Sequence, residues 1–243
     1  MKRTLSTILI ICWSSHMIAG GIGFGAFAPD KSKKINWFSR WSSFPKFKII
    51  DEGENKVLDI SSDAQIRPLI ATFPAVSIAN KVGRAITAEF DLSIIEGKPR
   101  PGELFIIGFY NSNNKIVTAS GLKNSDHSSG YFGGVRRTMG TPVICKESGG
   151  NSILSLGKDV KKISSAASSY KLTEKSGFHK IKFTIQKTTA GIYTYLTVDD
   201  KKLVSASDTK VLYTTFNEFM ITTSSVIRFQ IRNFTISSNN INK

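Results

Sequence analysis

The chain has 243 residues, of which 40% are hydrophobic, and a formal net charge of +15. That apolar share excludes a wholly disordered chain, and the length suits one large all-β domain. Two cysteines and three histidines exclude a disulfide-stapled scaffold and a zinc-type Cys/His cluster.

The first 28 residues read as a secretory leader. Lys2 and Arg3 make a positive start and TLSTILIICW a short apolar run. Small residues then continue to Ala26-Phe27-Ala28, an A-x-A-like end with Pro29 just after it. The run is too short and too broken by Ser, His and Gly for a good spanning helix, and the alternative is an uncleaved N-terminal anchor. The expectation is a signal peptide over 1–28, a single domain over 29–243, and a secreted, extracellular or periplasmic location. Removal of the leader takes Cys12 with it and leaves Cys145, flanked by apolar residues in TPVICKE, as a buried small hydrophobe.

After Trp37 and Trp41, two candidate aromatic platforms, FKII and KVLDI flank a turn at Glu52-Gly53-Glu54-Asn55. In AEFDLSI, Ala88, Phe90, Leu92 and Ile94 share one face while Glu89, Asp91 and Ser93 share the other. A Gly/Pro-rich turn over 96–102 precedes ELFIIGFY, and Asn111-Ser112-Asn113-Asn114 predicts a hairpin from that strand into KIVTAS. SSGYFGGVRR reads as a strand with tightly approached glycines rather than a phosphate loop, because nothing helical follows it. At most one short helix is expected, near VKKISSAASSYKL.

Alternation returns in HKIKFTIQ, YTYLTV and IRFQI, with Asp199-Asp200-Lys201-Lys202 as a hairpin turn. The phase changes after Arg232, so a bulge near Arg232-Asn233 is needed to return Phe234 and Ile236 to the core. Ten to twelve short strands with one wet and one dry face imply an antiparallel β-sandwich.

The order of segments resembles the concanavalin A-like lectin/glucanase superfamily of jelly rolls, including its laminin-G-like and exported members. WFSRWSSFPKFKIIDEGENKVLDIS is similar to their opening, and TAEFDLSI with ELFIIGFYNSNNKIVTA to their central strands. GFHKIKFTIQKTTAGIYTYLTVDDKKLVSAS is similar to their late hairpin unit, and VIRFQIRNFTIS to their last strand. The likeness spans roughly residues 36–237 and implies the concanavalin A-like jelly-roll fold.

The resemblance also raises carboxylate chemistry, because some members are glycoside hydrolases with Glu-x-Asp-x-x-Glu on one strand. Glu89-Phe90-Asp91 matches the first half, but Ile94 stands where the third carboxylate would fall. Glu89 and Asp91 are thus weak catalytic candidates, and an amphipathic strand's polar face explains them as well. Alginate lyases of the superfamily carry an Arg-rich strand and a Gln-x-His strand. Arg228-Phe229-Gln230-Ile231-Arg232 fits the former, and no Gln-x-His occurs.

Ligand-binding candidates are Tyr110 and Asn111, Tyr131, Arg136 and Arg137, and Arg228 and Arg232, as rings for sugar faces and forks for hydroxyls or acid groups. No cofactor is expected, and no oxygen-ligand run supports calcium beside the Asp199-Asp200 pair. The expected activity is a secreted, non-catalytic carbohydrate-binding or adhesion module that favours anionic polysaccharide. The alternatives are a glycoside hydrolase or polysaccharide lyase of the same fold, and a structural cell-envelope protein. Lysines spread without a run of five or more serve a solvated surface equally well, and export argues against nucleic acid as partner.

Overall fold

A computed structural model describes residues 22–28, 33–39, 45–53, 55–62, 68–97, 104–121, 127–136, 141–149, 159–166, 177–211, 213–223 and 226–240. Among these residues there are sixteen strands in two sheets. Sheet A runs β1 (Ile22–Gly23), β3 (Asn36–Ser39), β6 (Leu69–Ser77), β15 (Thr215–Thr223), β8 (Leu104–Asn111), β9 (Ser129–Arg136), β10 (Val143–Glu147) and β11 (Val160–Ser165). Sheet B runs β14 (Lys201–Asp208), β13 (Ile192–Val198), β12 (His179–Lys187), β7 (Arg84–Gly97), β16 (Ile227–Asn240), β5 (Asn55–Ser61) and β4 (Lys46–Glu52). β2 (Ala26–Ala28) joins sheet B by pairing in parallel with Thr235–Ser237 of β16, and every other pairing is antiparallel. Among the described residues no helix is long and apolar enough to cross a membrane.

The period-two pattern explains the layering. Phe90 and Leu92 of β7, Phe183 of β12, Leu196 of β13 and Phe229 of β16 point into the sandwich, where they meet Phe109 of β8 and Phe219 of β15. The rings interlock: Phe109 and Phe219 lie with centroids 5.1 Å apart, Phe219 and Phe234 5.5 Å, and Trp37 and Phe234 4.8 Å edge to face. Asn233, at φ 54, is the bulge that brings Phe234 inward, with the register skipping between Arg232 and Thr235. That is the place the change of phase predicts.

Two sequence expectations differ from the structure. The chain after Asn114 does not return as a hairpin strand: β8 pairs with β9, and residues 115–118 take no strand, with Val117 packing on the far face of sheet A. Val160–Ser165 is strand β11 rather than helix, because it finds an antiparallel partner in β10 that local propensity does not report; residues 167–176 lie outside the described ones. Residues 22–28 form β1 and β2, and Phe24 and Phe27 are buried in the core.

Candidate functional site

The outer face of sheet A is largely covered. Ile106 and Tyr110, Phe132, Cys145 and Met220 form a second apolar cluster there, closed by Val117. One cross-strand row on this face runs Thr72, Glu218, Tyr110, Gly130, Glu147. Tyr110 is fully buried and its hydroxyl donates to Glu147 Oε2 at 3.1 Å. Gly130 is the residue between them, so no side chain stands in the way of the phenol. Burial, with Glu147 second, raises the Tyr110 phenol well above its usual range. At the other end of the row Glu218 Oε2 accepts from Ser128 Oγ at 2.6 Å, while its buried Oε1 has no hydrogen-bond partner. Burial pushes the Glu218 carboxyl up to about 7 against the opposing pull of Ser128 and the Val117 amide. Cys145, in the same layer, is pushed up to about 11, chiefly by burial; it is an inert thiol.

Tyr131 points the other way, into the sandwich. Its hydroxyl donates to Asp208 Oδ2 at 3.0 Å, and Lys146 Nζ donates to both Asp208 oxygens at 2.8 Å. This clamp ties β9 and β10 of sheet A to the end of β14 in sheet B. Neither Tyr110 nor Tyr131 shows a ring face to solvent, and Trp37 is buried too, its indole N–H donating to the Phe24 carbonyl at 3.0 Å. Asn111 is engaged at both ends of its carboxamide: Nδ2 donates to the Thr215 carbonyl at 3.0 Å, and Oδ1 accepts from the Asn113 amide at 2.8 Å. It braces the turn at the mouth of β8. Arg136 closes β9 opposite Leu104; its side chain, Arg137 and Trp41 lie outside the described residues.

The remaining candidates share the outer face of sheet B, which is polar and open. Arg228 forks onto Asp59 with contacts of 2.9 and 3.1 Å. Arg232 donates to Asp91 at 3.1 Å and lies 3.9 Å over the Phe178 ring. Asp91 also accepts from Asn233 at 2.8 Å. Glu89 sits between Lys180 at 3.1 Å and Lys182 at 2.9 Å. Burial alone would raise its carboxyl, but the two lysines outweigh it and hold it below the ordinary value. A general acid needs the opposite shift. Asp199 and Asp200 take left-handed backbone at φ 51 and 60, as a two-residue hairpin turn requires. Asp199 is bonded to His179 Nδ1 at 2.8 Å and to the Lys180 amide at 3.0 Å. Among the described residues no group of three His, Cys, Asp or Glu gathers to hold a metal.

The sequence reading missed the strongest feature of this face. Tyr193 and Tyr195 of β13, both outward and half-buried, lie side by side with centroids 5.6 Å apart. Lys202, from the neighbouring β14, puts its ammonium 5.4 and 5.3 Å from the two ring centroids and donates to the Tyr193 hydroxyl at 3.2 Å. Burial raises the Tyr193 phenol, yet bonds from Ser205 and Lys202 more than offset it and leave it lowered. β14 carries a bulge here: Val204 pairs with Leu196 and Lys202 with Thr197, so Leu203 has no Cα partner on β13. Lys202 also lines a cleft of about 240 Å³ between Ser164–Ala166 and Lys202–Ser205, where the edges of the two sheets meet. The sequence signal was present, since YTYLTV puts two tyrosines on the face opposite Leu196.

No family model and no curated protein matches the sequence. Solved structures do match the fold. A Bacillus subtilis protein of unknown function with a galectin-like fold superposes with a TM-score of 0.53 at 12% identity, over 82% of this chain and 88% of that one. The metal-free carbohydrate recognition domain of Emp46p gives 0.53 at 12%, over 85% and 89%. The alginate lyase vAL-1 from Chlorella virus gives 0.51 at 11%, over 84% and 93%. At such identities the likeness concerns architecture, and the architecture is an antiparallel β-sandwich of the concanavalin A-like, jelly-roll type.

Proposed function

We propose that this chain is a non-catalytic, secreted carbohydrate-binding module that favours anionic polysaccharide and meets it on the outer face of sheet B. The observation that carries this reading is the Tyr193–Tyr195 pair under Lys202, beside the cleft at the sheet edges. Half-exposed rings offer flat apolar surface to the C–H faces of a sugar, and an ammonium beside them suits a sugar carboxylate or sulfate. The precursor's formal net charge of +15, less the two charges of Lys2 and Arg3 in the leader, leaves +13, which favours the same class of ligand. Two structures of this architecture, a carbohydrate recognition domain and an alginate lyase, are consistent with a carbohydrate ligand. Binding is preferred over hydrolysis because Glu89 and Asp91 are held in ion pairs by Lys180, Lys182 and Arg232, and over lysis because Arg228 and Arg232 are held by Asp59 and Asp91.

The test is binding to immobilised alginate, hyaluronan and neutral dextran at low and high salt. The acidic polymers are retained at low salt and released at high salt. Tyr193→Ala and Tyr195→Ala each weaken retention by about tenfold, the worth of one stacked ring. No retention at either salt overturns the reading, and release of reducing ends or unsaturated sugars from the bound polymer overturns its non-catalytic part.

A further inference from the structure

We infer that the leader is cut between Gly21 and Ile22, so that the exported chain begins at β1. A leader of this class ends with small residues at the last and third-last positions. Ala26-x-Ala28 meets that rule, and so do Ala19-x-Gly21, Gly21-x-Gly23 and Gly23-x-Gly25. The fold separates them. A cut after Gly23 removes β1, and a cut after Gly25 also removes the Phe24 carbonyl that accepts from Trp37. Only the cut after Gly21 keeps β1 and β2 whole.

A cut after Ala28 removes seven residues that both sheets use. Ile22 and Gly23 pair with Trp37 and Asn36 at the edge of sheet A. Ala26, Phe27 and Ala28 fill the edge of β16 opposite Thr235, Ile236 and Ser237, beyond the point where β5 stops. Phe27 stacks on Phe73 with centroids 6.1 Å apart. The Phe24 carbonyl accepts the indole N–H of the fully buried Trp37. Gly25 takes φ 95, and a β-carbon there would lie 2.7 Å from the Phe234 ring, so this position is fitted to its glycine. A folded module lacking 22–28 would bury an indole N–H without an acceptor and open the ring cluster to water.

A cut after Gly21 leaves all of this intact. Hydrolysis there adds the hydroxyl of one water to the Gly21 carbonyl and its hydrogen to the Ile22 nitrogen, catalysed by a leader peptidase of the secretion apparatus. The leader is then 21 residues, with Lys2 and Arg3, the TLSTILIICW run and a polar-to-small stretch before the cut. This inference is independent of the carbohydrate reading.

The test is export of the full-length precursor, carrying a C-terminal tag, from a secreting host, followed by intact mass and N-terminal sequencing of the exported protein. The expected first residue is Ile22. A first residue of Phe24, Ala26 or Pro29, or an exported chain that still begins at Met1, overturns the inference. In the same host Gly21→Tyr prevents cutting at this bond and precursor accumulates, whereas Ala28→Glu is cut as the parent is, an outcome read at the N-terminus whether or not the variant folds. Processing that survives Gly21→Tyr at the same bond, or that Ala28→Glu abolishes, also overturns it.

Discussion

Tyr131 and Asp208, one from each sheet, meet at 3.0 Å inside the sandwich. Lys146 completes the contact and also donates to the Lys210 carbonyl at 2.9 Å. Three polar groups are thus satisfied by one another where the sheets close, as burial demands. Removing one partner leaves the rest stranded. Asp208→Ala should cost about 3–5 kcal/mol in urea unfolding, because it strands a buried ammonium. Tyr131→Phe should cost only about 1 kcal/mol, the worth of one hydrogen bond. The double variant Lys146→Met/Asp208→Leu should recover most of the loss. A double variant as unstable as Asp208→Ala would show that the clamp has another role.

Glu218 makes stability depend on pH. Its folded carboxyl titrates at about 7, against 4.5 for an ordinary glutamate, because burial disfavours the charge. Between those values the folded chain holds a proton that the unfolded chain has released. Stability therefore falls as pH rises from about 4.5 to about 7 and is level above, by roughly 3 kcal/mol at most at about 1.4 kcal/mol per unit. Glu218→Gln should flatten this slope and be the more stable form at pH 8, as seen in the urea midpoint across the range. An unchanged slope would contradict the assignment.

Gly130 and Gly53 should respond very differently to alanine. A β-carbon at Gly130 would strike the Phe109 carbonyl oxygen and lie 2.9 Å from Tyr110 Cα, both backbone atoms of β8. Nothing there yields cheaply, so Gly130→Ala should cost about 3 kcal/mol or more. Gly53, at φ +64 in the β4–β5 turn, has open space around it and only the left-handed backbone to resist substitution. Gly53→Ala should cost about 1–2 kcal/mol. Thermal unfolding of the pair ranks them, and the reverse order would refute the packing of β8 on β9.

Lys202 should tune the Tyr193 phenol. Its ammonium and the Ser205 hydroxyl outweigh the effect of burial and keep that phenol lowered. Lys202→Met removes one of the two, so Tyr193 should titrate at higher pH, followed by phenolate absorbance against a Tyr193→Phe control. The same variant should weaken retention on alginate at low salt and leave weak retention on dextran unchanged. A titration that does not move would separate Lys202 from the ring pair.

Phe27→Ala in the full chain tests whether β2 belongs to the sandwich. A buried phenylalanine stacked on Phe73 should cost about 3–5 kcal/mol when truncated. A cost near zero would return residues 22–28 to the leader.

Where the sequence read well, the signal was local. The faces of β7, β12, β13 and β16, the Asp199-Asp200 turn and the bulge at Asn233 all follow from residues within one strand or turn. The site candidates read less clearly. Tyr110 lies near the end of β8 and Tyr131 near the start of β9, in runs without clear alternation, so a ring that donates to Glu147 or Asp208 in the interior looks the same as a ring in water. Glu89 and Asp91 looked like a free acidic pair until β12 and β16 supplied Lys180, Lys182 and Arg232 across the ladder.

The sequence by itself determined that this chain makes antiparallel strands with one dry face and where most of them lie, because side-chain alternation is a property of each strand alone. Only the tertiary structure decided that β8 pairs with β9, that residues 22–28 belong to the sandwich, and that Tyr193, Tyr195 and Lys202 come together at its edge. Those outcomes depend on which strands become neighbours, and pairing between distant segments is settled by the fit of whole faces to one another.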